Sequence, residues 1–426
     1  MTSSWWSEFG FIENPYDTKA LFSDKGDQLI VGRDDAINDL INRLYSRNQV
    51  PLICGENGVG KTSIVNVASY RMCVSRGFGL PRFFALDSTI TQASNLYDMK
   101  QFEQSVWRGI ADVLSDDEDY LNANGIKKSQ INTVRKTLGK QKRRFINLGG
   151  IGIPTPLGSV EIGTNQAADS STDYELKLTM QDWLSKCFGK SEGGVICMID
   201  NLELVDAPSR VRQILEHLRD TLFCIEGLIW VLCGTPDSVG RALSSSRLTG
   251  YIREIEIKHV DKVFAPTLVR HRIEQFKKPN ADPPVDEEGF AHIYEAMNYQ
   301  LRSALDLCVQ FSEWLVRYPE RRSKDHFEQL KVWLNHEAAG IYDKLRHVSE
   351  RSWEIFDRIA ALGTDIRSAN PRVVNMDTKE QLEEITQTFV DQGVFDRIEI
   401  DDNTFTIKVT QNGWLIKYLR KNTYLS

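Results

Sequence analysis

The sequence predicts an α/β protein: a parallel sheet, then a helical module, then a C-terminal domain of helices and a hairpin. Three observations predict it. The apolar run Val50-Pro-Leu-Ile-Cys54 leads into Gly55-Glu-Asn-Gly-Val-Gly60-Lys61-Thr62 and then a stretch without breakers from Ser63 to Tyr70, which reads as strand, glycine-rich loop, helix. Two further apolar runs, Val195 to Ile199 and Leu228 to Cys233, are followed within two positions by a polar residue, Asp200 and Thr235. Central parallel strands, buried on both faces, have this composition. Near the end, helical spacing gives way to alternation from Ile398 to Val409 around Asp-Asp-Asn, the signature of a hairpin.

Composition bounds the rest. At 426 residues, 41% hydrophobic and 26% charged, the chain has core material for two or three domains. Its longest apolar stretches are a third or less of the roughly 20 residues that a membrane span needs, and Met1-Thr-Ser-Ser-Trp5-Trp6 has no basic head before an apolar segment, so a cytoplasmic protein without a membrane partner is expected. Seven cysteines with no Cys-x-x-Cys pair read as buried thiols of a reducing compartment. The histidines are scattered, without ligand spacing. The net charge of −7 argues against a surface that traps nucleic acid everywhere. Locally, however, Lys127, Lys128, Arg135, Lys136, Lys140, Lys142, Arg143 and Arg144 form a segment with no acid in it, either a contact surface for nucleic acid or a solvated arm.

The loop from Gly55 to Thr62 is a complete G-x-x-x-x-G-K-[ST] sequence. Its glycines let backbone N–H groups turn inward around phosphate oxygens, and the helix starting near Lys61 directs its positive end at the same anion. Gly55, Glu56, Asn57, Gly58, Val59, Gly60, Lys61, Thr62 and Ser63 are therefore the expected nucleotide-binding residues, with Lys61 on the β and γ phosphates and Thr62 on Mg²⁺. Such a site needs a second carboxylate to hold the metal through water. Gly194-Val-Ile-Cys-Met-Ile199-Asp200 has the Walker B pattern, which makes Asp200 that group. Asn201 stands where a water-polarising Glu usually follows, and the nearest acid is Glu203. Slow hydrolysis, or a role for Glu203 on the water, is expected.

With these motifs in hand, the chain resembles the AAA+ ATPases of the initiator (origin-recognition) clade and the neighbouring STAND ATPases. Asn14-Pro15-Tyr16 and Leu29-Ile30-Val31-Gly32-Arg33-Asp34 are similar to the elements that hold adenine there, and the resemblance puts Ile30 and Val31 in the base pocket. It puts Thr235 at sensor 1, near the γ phosphate, and Arg247, with Arg253 second, as the arginine reaching a neighbouring subunit's nucleotide. Asn298-Tyr-Gln-Leu-Arg302 resembles sensor 2, where Arg302 opens a lid helix and touches the nucleotide. On spacing alone, the stretch after Gly32-Arg33 is an amphipathic helix packing on the sheet, and each arginine also suits a surface ion pair.

After the strand Arg82 to Asp87, about a hundred residues precede Walker B, far more than one crossover helix needs. This insertion holds the acidic patch Asp116 to Asp119, the basic segment, and two Gly-rich β runs within Ile146 to Gly163. Beyond Pro319, helices at Ser323–Leu345, Ser352–Leu362 and Lys379–Gln392 precede the hairpin, a winged-helix pattern. Residues 341–426 carry 12 basic and 14 acidic groups, a balance of −2, which suits a protein partner at least as well as DNA. The expected domains are 1–262 (the AAA+ core, with an insertion at about 90–190), 263–320 (the lid) and 321–426 (linker helix plus winged-helix-like domain). The functional expectation is an ATP-binding, slowly hydrolysing AAA+/STAND-like switch that assembles as a homo-oligomer or hetero-complex. The alternatives are an initiator-like ATPase on duplex DNA and the ATPase subunit of a bacterial anti-phage defence or regulatory complex whose effector lies on another chain.

Overall fold

The computed structural model describes residues 5–75, 81–139, 170–189, 193–205, 208–236, 240, 243, 245–322, 325–363, 365–401 and 404–423. Lys140, Lys142, Arg143, Arg144 and the Gly-rich runs of 146–163 lie outside the described residues. The chain divides into two compact units, one of residues 1–37, 55–67 and 256–426, the other of residues 38–54 and 68–255.

In chain order the elements begin with helices α1 (Ser23–Leu29) and α2 (Asp34–Ser46), strand β1 (Val50–Cys54), helix α3 (Lys61–Val74) and strand β2 (Phe83–Ala85). Helices α4 (Met99–Ser115), α5 (Glu118–Ala123), α6 (Lys128–Thr137) and α7 (Ser170–Phe188) come next, then β3 (Gly194–Ile199), α8 (Pro208–Thr221), β4 (Leu228–Gly234) and β5 (Ile252–Glu256). The five strands form one sheet in the order β2-β3-β4-β1-β5, with β2/β3, β3/β4 and β4/β1 parallel. Every residue of β1, β3 and β4 is buried, as their unbroken apolar composition anticipates. Alternation sorts their faces: Leu52, Val195, Cys197, Ile199, Leu228, Trp230 and Leu232 join one core with the helices of this unit, while Ile53, Ile196, Met198, Ile229 and Val231 are buried toward the other side. Strand β5 begins at Ile252, two residues before the expected Glu254.

The described part of the insertion is largely packed helix. α4 is capped by Asp98, whose carboxylate accepts from Gln101 N at 3.0 Å, and its Phe102, Val106, Trp107, Ile110 and Leu114 meet Leu176, Met180, Trp183 and Leu184 of α7 in that core. The acidic patch has structural duties. Asp117 caps α5 and pairs with Arg82, and Glu118 accepts from Lys128 at 2.8 Å and Arg135 at 2.9 Å. Those two bonds hold the Glu118 carboxyl below its ordinary value. Two of the eight basic residues are thus neutralised within the chain.

The other unit continues with α9 (Ala265–Phe276), α10 (Glu287–Ala296), α11 (Leu301–Arg317), α12 (His326–Asp343), α13 (Glu350–Leu362), β6 (Ile366–Arg367), α14 (Lys379–Asp391), β7 (Phe395–Asp401), β8 (Thr404–Val409) and α15 (Gln411–Thr423). One apolar cluster runs through all of it, from Trp6 and Tyr16 through Phe290, Phe311 and Trp333 to Phe356, Phe389 and Trp414. Tyr16 is fully buried, its hydroxyl bonded to both the N–H and C=O of Val285. Caps fall where short polar residues precede apolar spacing: Asp286 for α10, Asp325 for α12, Ser349 for α13 and Thr378 for α14. Gly363, at φ 66°, ends α13. Strands β6, β8 and β7 form an antiparallel sheet in that order, so α13, α14 and the hairpin make the winged-helix-like module. The helix α15, absent from the sequence reading, closes it: Arg420 pairs with Asp357 at 2.5 Å, and Lys417 donates to the α13 carbonyl of Ala360 at 2.7 Å.

Two glycines give a stability test. A Cβ on Gly194 would stand 2.7 Å from Gly227 O and 3.0 Å from Ile229 Cδ1, whereas one on Gly340, inside α12, would meet nothing within 4 Å. Gly194→Ala is expected to destabilise the fold by about 1–3 kcal/mol and Gly340→Ala to stabilise it by about 0.5–1 kcal/mol, read as opposite shifts of the urea midpoint followed by circular dichroism.

Candidate functional site

Strand β1 ends at Cys54, and the glycine-rich loop occupies 55–60 before α3 opens at Lys61. Gly58 and Gly60 take φ of 83° and 98°, a left-handed backbone that a side chain would strain. The loop is cross-braced. Lys61 is buried and its amine donates to Gly55 O at 2.8 Å and Glu56 O at 3.1 Å. Ser63 accepts from Leu21 N at 3.0 Å, and Asn66 donates to Leu21 O at 3.1 Å, which fastens the N-terminal segment to α3. Thr62 is half-buried in the first turn of α3.

Four side chains from elsewhere in the sequence reach this loop. Arg33 donates to Val59 O at 2.7 Å, and burial pushes its guanidinium below the ordinary arginine value. Ile30 and Val31, both half-buried, lie just before it. Between them, Gly32 turns at φ 67° with Phe264 against it, its own Cβ position only 2.8 Å from that ring. Arg302, second residue of α11, lies over Gly58: a Cβ there would meet Arg302 Cβ at 2.8 Å. Glu56 has His259 Nε2 at 3.6 Å and Lys408 Nζ, from β8, at 3.9 Å; Lys408 is also 3.9 Å from Asp365. Burial, with help from Arg33 and Lys408, holds the His259 imidazole below its ordinary value against the opposing pull of Glu56.

In the sheet unit, Asp200 is 5% exposed at the end of β3 and its Oδ1 accepts from Asn201 N at 2.9 Å. Asn201 is left-handed, at φ 60° and ψ 47°, so the chain leaves the strand there, and Glu203 lies half-buried in the 3-10 turn Leu202–Leu204. The β3/β4 register pairs Ile199 with Leu232, which brings Thr235, half-buried one residue past β4, to the same edge as Asp200. Arg247 is engaged within the chain, donating to Asp220 at 2.6 Å with Glu216 at 3.9 Å, both on α8. Arg253 is exposed on β5 and has no ion pair or hydrogen bond among the described residues.

The structure therefore gathers Gly55 to Ser63 with Arg302 in one unit and Asp200, Glu203 and Thr235 along one sheet edge in the other. Arg247 stands apart, against α8. Sequence reasoning did not assign Arg33, His259 or Lys408 to the site. Arg33 was visible in the Gly32-Arg33 pair, whereas His259 and Lys408 had no local signal.

No family model and no curated protein matches the sequence. Among solved structures, the ORC1 protein of Aeropyrum pernix in complex with DNA is similar at 14% identity over 93% of this chain and 94% of that one, with a TM-score of 0.40. The Aeropyrum pernix ORC2 protein in ADPNP-ADP complexes is similar at 12% identity over 98% and 100%, TM-score 0.47. A Cdc6p of Pyrobaculum aerophilum is similar at 11% identity over 97% and 99%, TM-score 0.38. Among the described residues no helix is long and apolar enough to cross a membrane.

Protonation of His259 gives a pH test. With its value below 6.5 when folded, the unfolded chain takes up a proton that the folded one resists, so stability is full above 6.5 and lost as pH falls through the folded value. His259→Gln is expected to flatten the fall of the denaturation midpoint from pH 6.5 to about 5, leaving the part due to His292, which burial also holds low.

With the P-loop strand between β4 and β5, β4 between it and the Walker B strand, and a helical module after the sheet, the chain has an AAA+ type of α/β fold.

Proposed function

We propose that this protein is an ATP-binding molecular switch of AAA+/STAND type with slow hydrolysis. One observation carries the reading: a complete G-x-x-x-x-G-K-T loop in which the two glycines take left-handed backbone, Lys61 is folded into the loop and Arg302 lies over Gly58. In this reading the loop N–H groups and Lys61 hold the β and γ phosphates, Ile30 and Val31 flank the base, and Arg302 reports the γ phosphate. Thr62 and Asp200, both hard oxygen donors, are the residues the sequence assigns to Mg²⁺, which when bound would neutralise charge on the β and γ oxygens. Glu203 is the carboxylate assigned to the attacking water and Thr235 its polar neighbour. Asn201 in the usual place of that carboxylate makes turnover slow. Arg247 acts in trans only if its α8 partners release it. The proposed division of labour is 1–262 for nucleotide, 263–320 for the lid and 321–426 for partner contact.

The partner is more plausibly protein than duplex DNA on charge. The helix α14, second of the winged-helix-like module, carries Glu380, Glu383, Glu384 and Asp391 against one lysine, Lys379, and phosphate contact needs the reverse balance. Within the basic segment, Lys128 and Arg135 already serve Glu118. Self-assembly or docking to another chain is therefore the output assigned to the switch, and a defence or regulatory complex is one setting for it.

Calorimetry with Mg²⁺ and ATP, paired with size measurement under a non-hydrolysable analogue, tests the reading. Wild type is expected to bind and to change size, and Lys61→Ala to bind at least about tenfold more weakly, roughly 1.4 kcal/mol, and to stay unchanged in size. An absence of binding by wild type overturns the reading. Salt-dependent retention on duplex DNA, reduced by neutralising Lys127 and Lys136, would return the partner to nucleic acid.

A further inference from the structure

Strand β7 has β8 on one side only, because its sheet runs β6-β8-β7. The register decides which of its backbone groups are taken. Just before the strand, Thr410 N donates to Val394 O at 3.1 Å. By the two-residue repeat of an antiparallel ladder, the N–H and C=O of Asp396 and Ile398 then point at their partners Lys408 and Thr406. The other side of β8 keeps the same alternation, with Phe405 O accepting from Ser368 N at 2.8 Å toward β6. The backbone groups of Phe395, Arg397 and Glu399 therefore face away from β8, along an edge that no strand pairs among the described residues.

The side chains around this edge are acidic. Glu399 is exposed, and on the opposite face so are Asp396 and Ile398, the latter by 44%. Arg397, the one cation of β7, is already engaged: it donates to Glu383 of α14 and to Glu399 at 2.7 Å, and lies over the Phe405 ring. Beside Glu383, Glu380, Glu384 and Asp391 form an exposed stripe of α14 at helical spacing. Charge then selects among occupants. A second copy of this edge would set carboxylates against carboxylates, nucleic acid would set phosphates against them, and a cationic strand meets opposite charge.

We infer that the β7 edge docks an extended lysine- or arginine-rich segment of a partner protein, which adds as a further strand; the inference rests on the reading of 321–426 as the partner-contact region. The segment's backbone takes the free groups of Phe395, Arg397 and Glu399, spaced about 6.8 Å apart. Its apolar residues cover Ile398, and its cations face Glu399 and the stripe of α14. Main-chain bonds supply affinity and the alternation of side chains supplies selectivity.

The test uses the full chain and a fluorescent peptide of alternating lysine and valine, read by anisotropy at low and high salt. Its glutamate-valine counterpart and two versions N-methylated at the lysines or at the valines serve as comparisons. The lysine peptide is expected to bind in a salt-sensitive way and the glutamate peptide not to bind. One of the two methylated versions is expected to lose at least about tenfold in affinity, and Glu384→Gln with Glu399→Gln to lose about fivefold. Amide hydrogen exchange at Arg397 and Glu399 should slow at least about tenfold when the peptide binds. Absence of binding overturns the assignment, as does parent-like binding of both methylated versions, the signature of charge without strand pairing. A dimer of the chain that the peptide dissociates would give the edge to a second copy, and duplex DNA that displaces the peptide would give it to nucleic acid; each overturns it. A chain that changes size with ATP yet ignores both peptide and DNA loses this docking site and keeps the switch reading, whereas one that binds DNA and not the peptide loses the protein-partner reading as well.

Discussion

Parallel pairing of β1, β4 and β3 makes three chain exits converge on one edge of a sheet whose interior is wholly apolar. Each strand is buried along its whole length, so polar side chains can appear only after the last paired residue, where the backbone leaves the core. Gly55, Asp200 and Thr235 are the residues that follow. Asp200 and Thr235 stand at that edge because polar groups are not satisfied elsewhere along these apolar strands. The bridge from Gln92 to Asp200 extends the same constraint to β2, whose chain continues past its short paired stretch and returns to the edge.

Charge around the glycine-rich loop is set by more than its lysine. Glu56 puts a carboxylate inside that loop, an arrangement that would repel an anion there if left bare. His259 and Lys408 lie within 4 Å of it, and Arg33 holds the loop backbone at Val59. Because Lys408 belongs to β8, the compensating charge comes from the winged-helix-like module, and because Arg302 lies in the first turn of α11, that helix packs on Gly58. One apolar cluster joins α9–α11 to the C-terminal helices.

What the sequence disclosed depended on whether the signal was local. The loop motif, the apolar runs of β1, β3 and β4, and the caps Asp286, Ser349 and Thr378 are written in neighbouring residues, and the elements formed there. Helix α7 was hidden because Tyr174 and Leu178, 62% and 48% exposed, blur its apolar stripe. Strand β5 started early because its burial, with Ile252 and Ile255 inside and Arg253 and Glu254 between them outside, breaks the alternation that marks a strand. His259 and Lys408 meet Glu56, and Gln92 pairs with Asp200, across long stretches of sequence, and a lone polar residue carries no pattern that names its partner.

The same distinction governs the basic segment. Counted along the chain, its eight charges suggest an electrostatic surface, but charge on a page is additive whereas charge in a fold is paired. Glu118, itself from the acidic patch a few residues upstream, takes up both Lys128 and Arg135, and Arg135 also donates to Ser115 O. The two opposite-signed stretches therefore act first on each other, pinning α6 to the end of α4. Exposed pairs of this kind contribute little stability singly, yet they remove cations from the set available to an outside polyanion, since a phosphate would have to displace a carboxylate already in place. The argument for nucleic acid weakens with each such pair, and the acidic face of α14 weakens it at the other end of the chain.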